Sequence, residues 1–182
     1  ARDGGAARTG QVAQYWLGAL KCGVRTGFRQ SSRSGRLTAT PRSSSTAARL
    51  GIDNIPTVTH LEALKHVATN VFEPLRLHFG VPIGVSSGYR GEELNKAIGG
   101  SKRSQHCKGQ ALDIDADIYG VITNADIFNR IKNHLDFDQL IWEFGTDNEP
   151  SWVHVSYVPD GLNRGEILKA YSEGGRTKYK RI

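Results

Sequence analysis

Apolar residues recur at helical spacing from Leu61 through Leu64, Val67, Val71, Leu75 and Phe79. That period of three to four predicts an amphipathic helix. Thr59 and Glu62 read as a capping box at its start, each side chain satisfying a backbone N–H of the other. Pro74 should kink the helix, since it lacks an N–H and crowds the preceding turn, and Gly80 should end it. A short strand, Val81 to Val85, and a helix, Glu92 to Ile98, follow; Gly99-Gly100 stops the helix, and Ser101 to Gln105 is a polar loop. The period then changes to two. Leu112 and Ile114 point one way while Asp113 and Asp115 point the other, so Ala111–Asp115 is a strand. Thr123 or Asn124 caps a helix to about Leu135, with Ile127, Phe128 and Ile131 on its apolar side. Asp138–Phe144 and Ser151–Tyr157 read as a hairpin around a turn at Gly145–Pro150. The C-terminal stretch reads as a turn at Asn163-Arg164-Gly165, a short helix to Tyr171 and a basic end. Helices and strands neither alternate nor separate into blocks. The predicted class is therefore α+β, a small, mostly antiparallel sheet with helices packed on it.

Charge divides this chain of 182 residues. Residues 1–48 hold eight Lys/Arg and one acid, whereas residues 49–182 hold sixteen Lys/Arg and seventeen acids. The overall charge of +6 thus belongs to a basic leader rich in Arg, Gly and Ser, residues 1–43, expected to be disordered. Residues 44–182 form the expected folded domain. Because that body is nearly neutral, nucleic acid is not the expected partner. No apolar run approaches the roughly 18 residues of a membrane span. Val12–Leu20 is broken by Gln14 and Gly18 and makes a poor secretory signal. Cys22 and Cys107 are too few for a disulfide framework or a four-cysteine zinc site. The chain has no GxxxxGK[ST] or HExxH motif, which removes P-loop enzymes and one large class of metalloproteases.

Three segments gather residues of metal-binding type. His106 and Asp113 lie seven apart, and Gly109 lets the backbone turn so that His106 can fold over the face that Asp113 occupies. His154 shares a strand face with Trp152 and Ser156, while Val153 and Val155 point into the core. Glu143 is the single charge in the apolar run Leu140–Phe144. A turn symmetric about residues 148–149 would pair Glu143 directly with His154. Two histidines and an aspartate suit Zn²⁺ with a fourth position open for water. A nearby carboxylate, Glu143, could take a proton from that water, and Arg90 could hold an oxyanion or a substrate carboxylate. Each residue also has a plainer reading. His106 could be a loop histidine, Asp113 a turn or salt-bridge residue, Glu143 a cross-strand ion-pair partner and Arg90 a surface residue. Asp115 could be an outer neighbour of the site or face solvent, and Cys107 reads as a free thiol.

Ser87-Gly88-Tyr89-Arg90, Ser104-x-His106-x2-Gly109-x-Ala111-x-Asp113 and Trp152-Val153-His154-Val155-Ser156 resemble the zinc peptidases that include D-alanyl-D-alanine carboxypeptidases and phage L-alanyl-D-glutamate endolysins. The Hedgehog signalling domain looks like a distant relative. The resemblance runs from about Ser44 to Tyr179. It implies a Hedgehog-like zinc fold, with His106, Asp113 and His154 as zinc ligands and Arg90 on substrate or oxyanion. Ser104 and Trp152, within the same motifs, are the candidate substrate contacts. Many members carry an acid three positions before the last histidine, where this chain has Ser151. The expected base is therefore Glu143, with Asp147 and Glu149 as second choices. The implied substrates are peptidoglycan stem peptides. The implied setting is a phage lysis enzyme that acts as a monomer and passes from host cytoplasm to cell wall. The alternative is a zinc-containing module that binds peptide or cell wall without turnover.

Overall fold

The computed structural model describes residues 45–159, 161 and 163–182. The predicted leader, residues 1–43, lies outside them. The chain divides into two units between Ile55 and Pro56. The described part of the first is a short helix, α1 (Ser45–Leu50). It ends as Gly51 turns left-handed and Ile52 N–H bonds back to the Ala47 carbonyl at 3.0 Å.

The second unit opens with the long amphipathic helix, but two residues earlier than its apolar pattern suggests. Thr57, not Thr59, is the N-cap of α2 (Val58–Val67), and His60 takes the place expected of Glu62 in the capping box. The Thr57 hydroxyl accepts from His60 N–H at 3.4 Å, and His60 Nδ1 accepts from Thr57 N–H at 3.3 Å. Pro74 is accommodated by a π-helical stretch, Ala68–Phe72, which leads into α3 (Glu73–Phe79). Glu73 N–H reaches five residues back to the Ala68 carbonyl. The extra residue in that turn spares the helix the hydrogen bond that proline cannot donate. Val67, Val71, Phe72 and Leu75 are buried along one continuous side, and Gly80 ends the helix in the left-handed conformation as expected.

Six strands form one sheet. They are β1 (Gly84–Ser87), β2 (Ala111–Asp115), β3 (Gln139–Glu143), β4 (Trp152–Ser156), β5 (Glu166–Glu173) and β6 (Arg176–Arg181). Their order is β1-β2-β4-β3-β5-β6. The sheet is mixed, where the sequence predicts a mostly antiparallel one, because β5 runs parallel to β3. β1 begins later than the predicted Val81–Val85 and carries a bulge between Val85 and Ser87. The bulge sets Ser87 opposite Asp113. Between β1 and β2 lie α4 (Glu92–Ala97) and a 3₁₀ turn, Gln105–Lys108. A second helix on the sheet, α5 (Asn124–His134), is capped by Thr123. It buries Ile127, Phe128 and Ile131 and sets the Phe128 ring edge-on to Trp142 at 5.1 Å.

The C-terminal segment corrects the sequence reading outright. In place of the predicted short helix to Tyr171 stands an antiparallel hairpin, β5–β6, around Gly174-Gly175, and the basic end forms its second strand. Both glycines have positive φ, the conformation that a two-residue hairpin turn requires and that glycine adopts without strain. Edge strand β6 is exposed along its length, and its basic side chains blunt it against pairing with another chain. Among the described residues, no helix is long and apolar enough to cross a membrane.

Candidate metal centre

His106, Asp113 and His154 converge on one face of the sheet. β2 and β4 pair in a register that puts Asp113 opposite His154. His106 reaches the same face from the 3₁₀ turn, which closes at Gly109 in the left-handed conformation. Glycine is needed there twice over: its φ is +69°, and a Cβ would stand 2.4 Å from the His60 carbonyl oxygen. A second tie holds the turn. Gln105 Nε2 donates to Asp138 Oδ2 at 2.9 Å, and Arg164 clamps the same carboxylate through Nε and a terminal nitrogen at 2.9 and 2.6 Å. Arg164 holds Asp138 below the usual carboxylate range, with burial opposing and Gln105 helping.

The three candidate ligand atoms form a small triangle. His106 Nε2 lies 3.1 Å from Asp113 Oδ1 and 3.2 Å from His154 Nδ1, and His154 Nδ1 lies 2.9 Å from the same Asp113 oxygen. A tetrahedral ion with bonds of about 2.0–2.1 Å needs ligand atoms about 3.3 Å apart, so the cluster needs little adjustment to hold zinc. Its chemistry points the same way. His106 Nδ1 lies 2.7 Å from the Gly88 carbonyl, which fixes that nitrogen as the donor and leaves Nε2 with its lone pair. Two imidazole nitrogens and a carboxylate oxygen facing one another need a cation or a proton between them. Among the described residues these three are the group that could hold a metal ion, and all are buried.

Electrostatics favours the ligand form of His106 and of Asp113. Burial pushes His106 below its ordinary pKa; His154 and Arg90 push the same way, while Asp113 opposes them. Burial alone would raise Asp113, but the two imidazoles outweigh it and hold the carboxyl well below the usual range. Arg90 also donates to Asp113 Oδ2, and its Nε donates to the Ser87 hydroxyl at 2.8 Å. The guanidinium expected to meet substrate is thus engaged with Asp113.

Glu143 lies on the same face but not where the symmetric turn would put it. Ile141 stands opposite His154, and Glu143 stands opposite Trp152, so the pairing differs by two residues. A shift of two preserves the face; a shift of one would have sent Glu143 into the helix-packed side. Phe144 and Gly145, at φ values of 53° and 68°, start the turn immediately after Glu143. Phe144 is the one non-glycine residue with positive φ among those described, and its ring tilts against Trp152 at 5.4 Å. Burial lifts Glu143 to about 7; Asp113 adds to the rise, while His154 and Arg90 counter it.

The second-choice acids are occupied elsewhere. Glu149 accepts from the N–H groups of Asn124 at 2.7 Å and Ala125 at 3.3 Å, capping α5 where the helix end is positive. Asp147 is exposed and pairs with Lys169. Asp115 caps a short 3₁₀ turn through Asp117 N–H. Ser104 is half-buried and starts the turn that carries His106. Trp152 is half-buried on the His154 face, and Cys107 is a free thiol raised by burial. The sequence reading missed Gly88, whose carbonyl leaves no mark in sequence, and the Gln105–Asp138–Arg164 tie. It offered Asn124 only as a possible helix cap, whereas Asn124 is fully buried and its Oδ1 accepts from Ala116 N–H at 2.8 Å.

A family model described as Peptidase M15 matches residues 39–156. That span contains His106, Asp113, Glu143 and His154, and it ends at the last residue of β4. Among curated proteins, none matches the chain.

Proposed function

Since this chain belongs to the Peptidase M15 family, we propose that it is a zinc-dependent peptidase that hydrolyses peptidoglycan stem peptides. The carrying observation is the triangle of His106 Nε2, Asp113 Oδ1 and His154 Nδ1, with all sides between 2.9 and 3.2 Å. In this reading those atoms hold zinc. When bound, the ion would supply Lewis acidity, lowering the pKa of a water to about 7 and polarising the scissile carbonyl. Glu143 is the base. Burial lifts its carboxyl to about 7, where it can accept a proton near neutral pH and release it again. It takes one proton from the attacking water as the oxygen–carbon bond forms, and delivers it to the leaving amine as the carbon–nitrogen bond breaks. Arg90 orients Asp113 through its charge-assisted hydrogen bond.

The cell-wall substrate rests on the motif resemblance to D-alanyl-D-alanine carboxypeptidases and L-alanyl-D-glutamate endolysins, as do a Hedgehog-like fold, a phage lysis role and action as a monomer in the wall. Digestion of purified peptidoglycan with zinc present and absent, followed by mass spectrometry of the muropeptides, tests this reading. Zinc-dependent release of shortened stem peptides is expected, and the products name the bond. A non-catalytic zinc module is the second reading, favoured by one observation: Arg90 is bound to Asp113 rather than turned toward a substrate. Intact muropeptides after digestion, together with zinc-dependent peptide binding, would establish it instead.

A further inference from the structure

The hairpin β5–β6 lies beyond residues 39–156, where the family match falls. Its register nevertheless puts one of its residues on the face of the metal centre. Trp152 pairs with Glu143, Glu143 with Ala170, and Ala170 with Tyr179, one row across β4, β3, β5 and β6. Residues paired in this way share a face. Tyr179 therefore stands on the face of His154, Asp113 and Glu143, two strands beyond Glu143. Adjacent strands lie about 4.8 Å apart, so roughly 10 Å separates the two backbones. A tyrosine side chain covers most of that span, and the residue between is Ala170, whose single methyl group is too short to stand in its way. Ala170 is fully buried while Tyr179 is 54% exposed, so part of the tyrosine can be reached from solvent.

Resting on the peptidase reading above, we propose that Tyr179 holds the peptide substrate on the β6 side of the site, its phenol donating a hydrogen bond to a substrate oxygen remote from the bond that is cut. Burial raises the Tyr179 pKa, and the negative charges of Glu143 and Asp113 raise it further against Arg90. A phenol holds its proton at neutral pH without any such shift, so the hydroxyl can donate to a carbonyl or carboxylate oxygen of the peptide. A substrate laid across the strands would pass over the metal ligands, then Glu143, then Tyr179.

The contact is proposed as one made equally in the ground and transition states, and the loss of such uniform binding raises KM and leaves kcat unchanged. The test is steady-state hydrolysis of a soluble stem peptide by the zinc-loaded full chain and its Tyr179→Phe variant, with zinc content and melting temperature measured alongside. The expected result is a KM raised about five- to tenfold, with kcat within about twofold and both controls unchanged. Tyr179→Ala, which also removes the ring, should raise KM further. An unchanged KM in Tyr179→Phe, or a fall in kcat alone, overturns the assignment while the peptidase reading stands. A zinc-loaded wild-type chain that cleaves no stem peptide overturns the reading itself, and the role of Tyr179 with it.

Discussion

His106 Nδ1 lies 2.7 Å from the carbonyl oxygen of Gly88, so one nitrogen of this buried ring is committed to the backbone and the other is free for a ligand. A ring held in that way loses little freedom when it binds a metal. The chain should therefore take up one equivalent of zinc. His106→Ala and His154→Ala should each take up none under the same dialysis, as read by elemental analysis. Chelator should lower the melting temperature of the wild type and leave the two variants unmoved. An ion present at a hundred times its dissociation constant stabilises the fold by about 2.7 kcal/mol. Full zinc content in His106→Ala would remove that residue from the ligand set.

Glu143 is the group whose loss should separate chemistry from binding. Glu143→Gln keeps the shape and removes the proton acceptor. Hydrolysis should fall by about two to four orders of magnitude while zinc content stays at one equivalent. A variant that still turns over at the wild-type rate would send the search for the base elsewhere. It would not lead to Glu149, whose carboxylate caps α5, nor to exposed Asp147.

The same carboxylate should leave a mark on stability in metal-free protein. Its folded pKa, about 7, lies above its ordinary value of 4.5. The folded state therefore keeps a proton that the unfolded chain gives up. The resulting stabilisation is complete below pH 4.5 and is lost as pH rises through 7, a change on the order of 3 kcal/mol. Urea unfolding of chelator-treated wild type and Glu143→Gln at pH 5 and pH 8 measures it. The wild type should lose more stability than the variant over that interval; equal losses would contradict the buried, elevated carboxyl.

Much of this centre was legible in the sequence, and the failures have physical causes. His106, Asp113 and His154 were readable because a polar side chain on a half-buried strand face, or beside a turning glycine, needs a reason to be there. The face of Glu143 was readable from strand alternation, but its partner was not. Residues 144–151 form a loop whose left-handed start at Phe144 and Gly145 moves the pairing by two, and a non-glycine residue with positive φ has no sequence signature. The start of α2 was misplaced because a histidine imidazole, rather than a glutamate, completes the capping box. The β5–β6 hairpin carried a usable cue, Gly174-Gly175 between two runs of alternating residues, but Glu166–Tyr171 also fits a short helix. The parallel pairing of β5 with β3 is a long-range choice that no local pattern contains.

The tie from Gln105 through Asp138 to Arg164 should matter more to the fold than an ordinary ion pair. Asp138 is 3% exposed, and it binds the turn that carries His106 to the strand that carries Glu143. Asp138→Asn keeps the volume and loses the charge, and should cost about 2 kcal/mol by denaturant unfolding. Because Asp138 is held below its ordinary pKa, its stabilising contribution is present above the unfolded value of 3.8 and is lost as pH falls through the folded one. The gap between wild type and Asp138→Asn should therefore be open at pH 6 and should narrow as pH falls below 3.8. A gap of the same size at both would show that packing, not charge, sets the effect.

Gly109 offers the sharpest test of how the site is held. Alanine there meets two penalties, a φ of +69° and a Cβ placed 2.4 Å from the backbone oxygen of His60. The first costs about 1 kcal/mol. The second cannot be relieved by rotating a side chain, because the obstacle is main chain, so α2 and the His106 turn must move apart. Leu64 and Val67 of α2 and Leu112 and Ile114 of β2 are buried away from the turn itself. The fold should therefore survive with a lower melting temperature, while the ring of His106 leaves its place beside Asp113. Gly109→Ala should show weakened zinc affinity beyond what its lost stability explains, as titration calorimetry can measure on protein that circular dichroism shows to be folded. Unaltered zinc affinity in that variant would mean that the turn can shift without carrying His106 with it, and that the imidazole is placed by its bond to Gly88 alone.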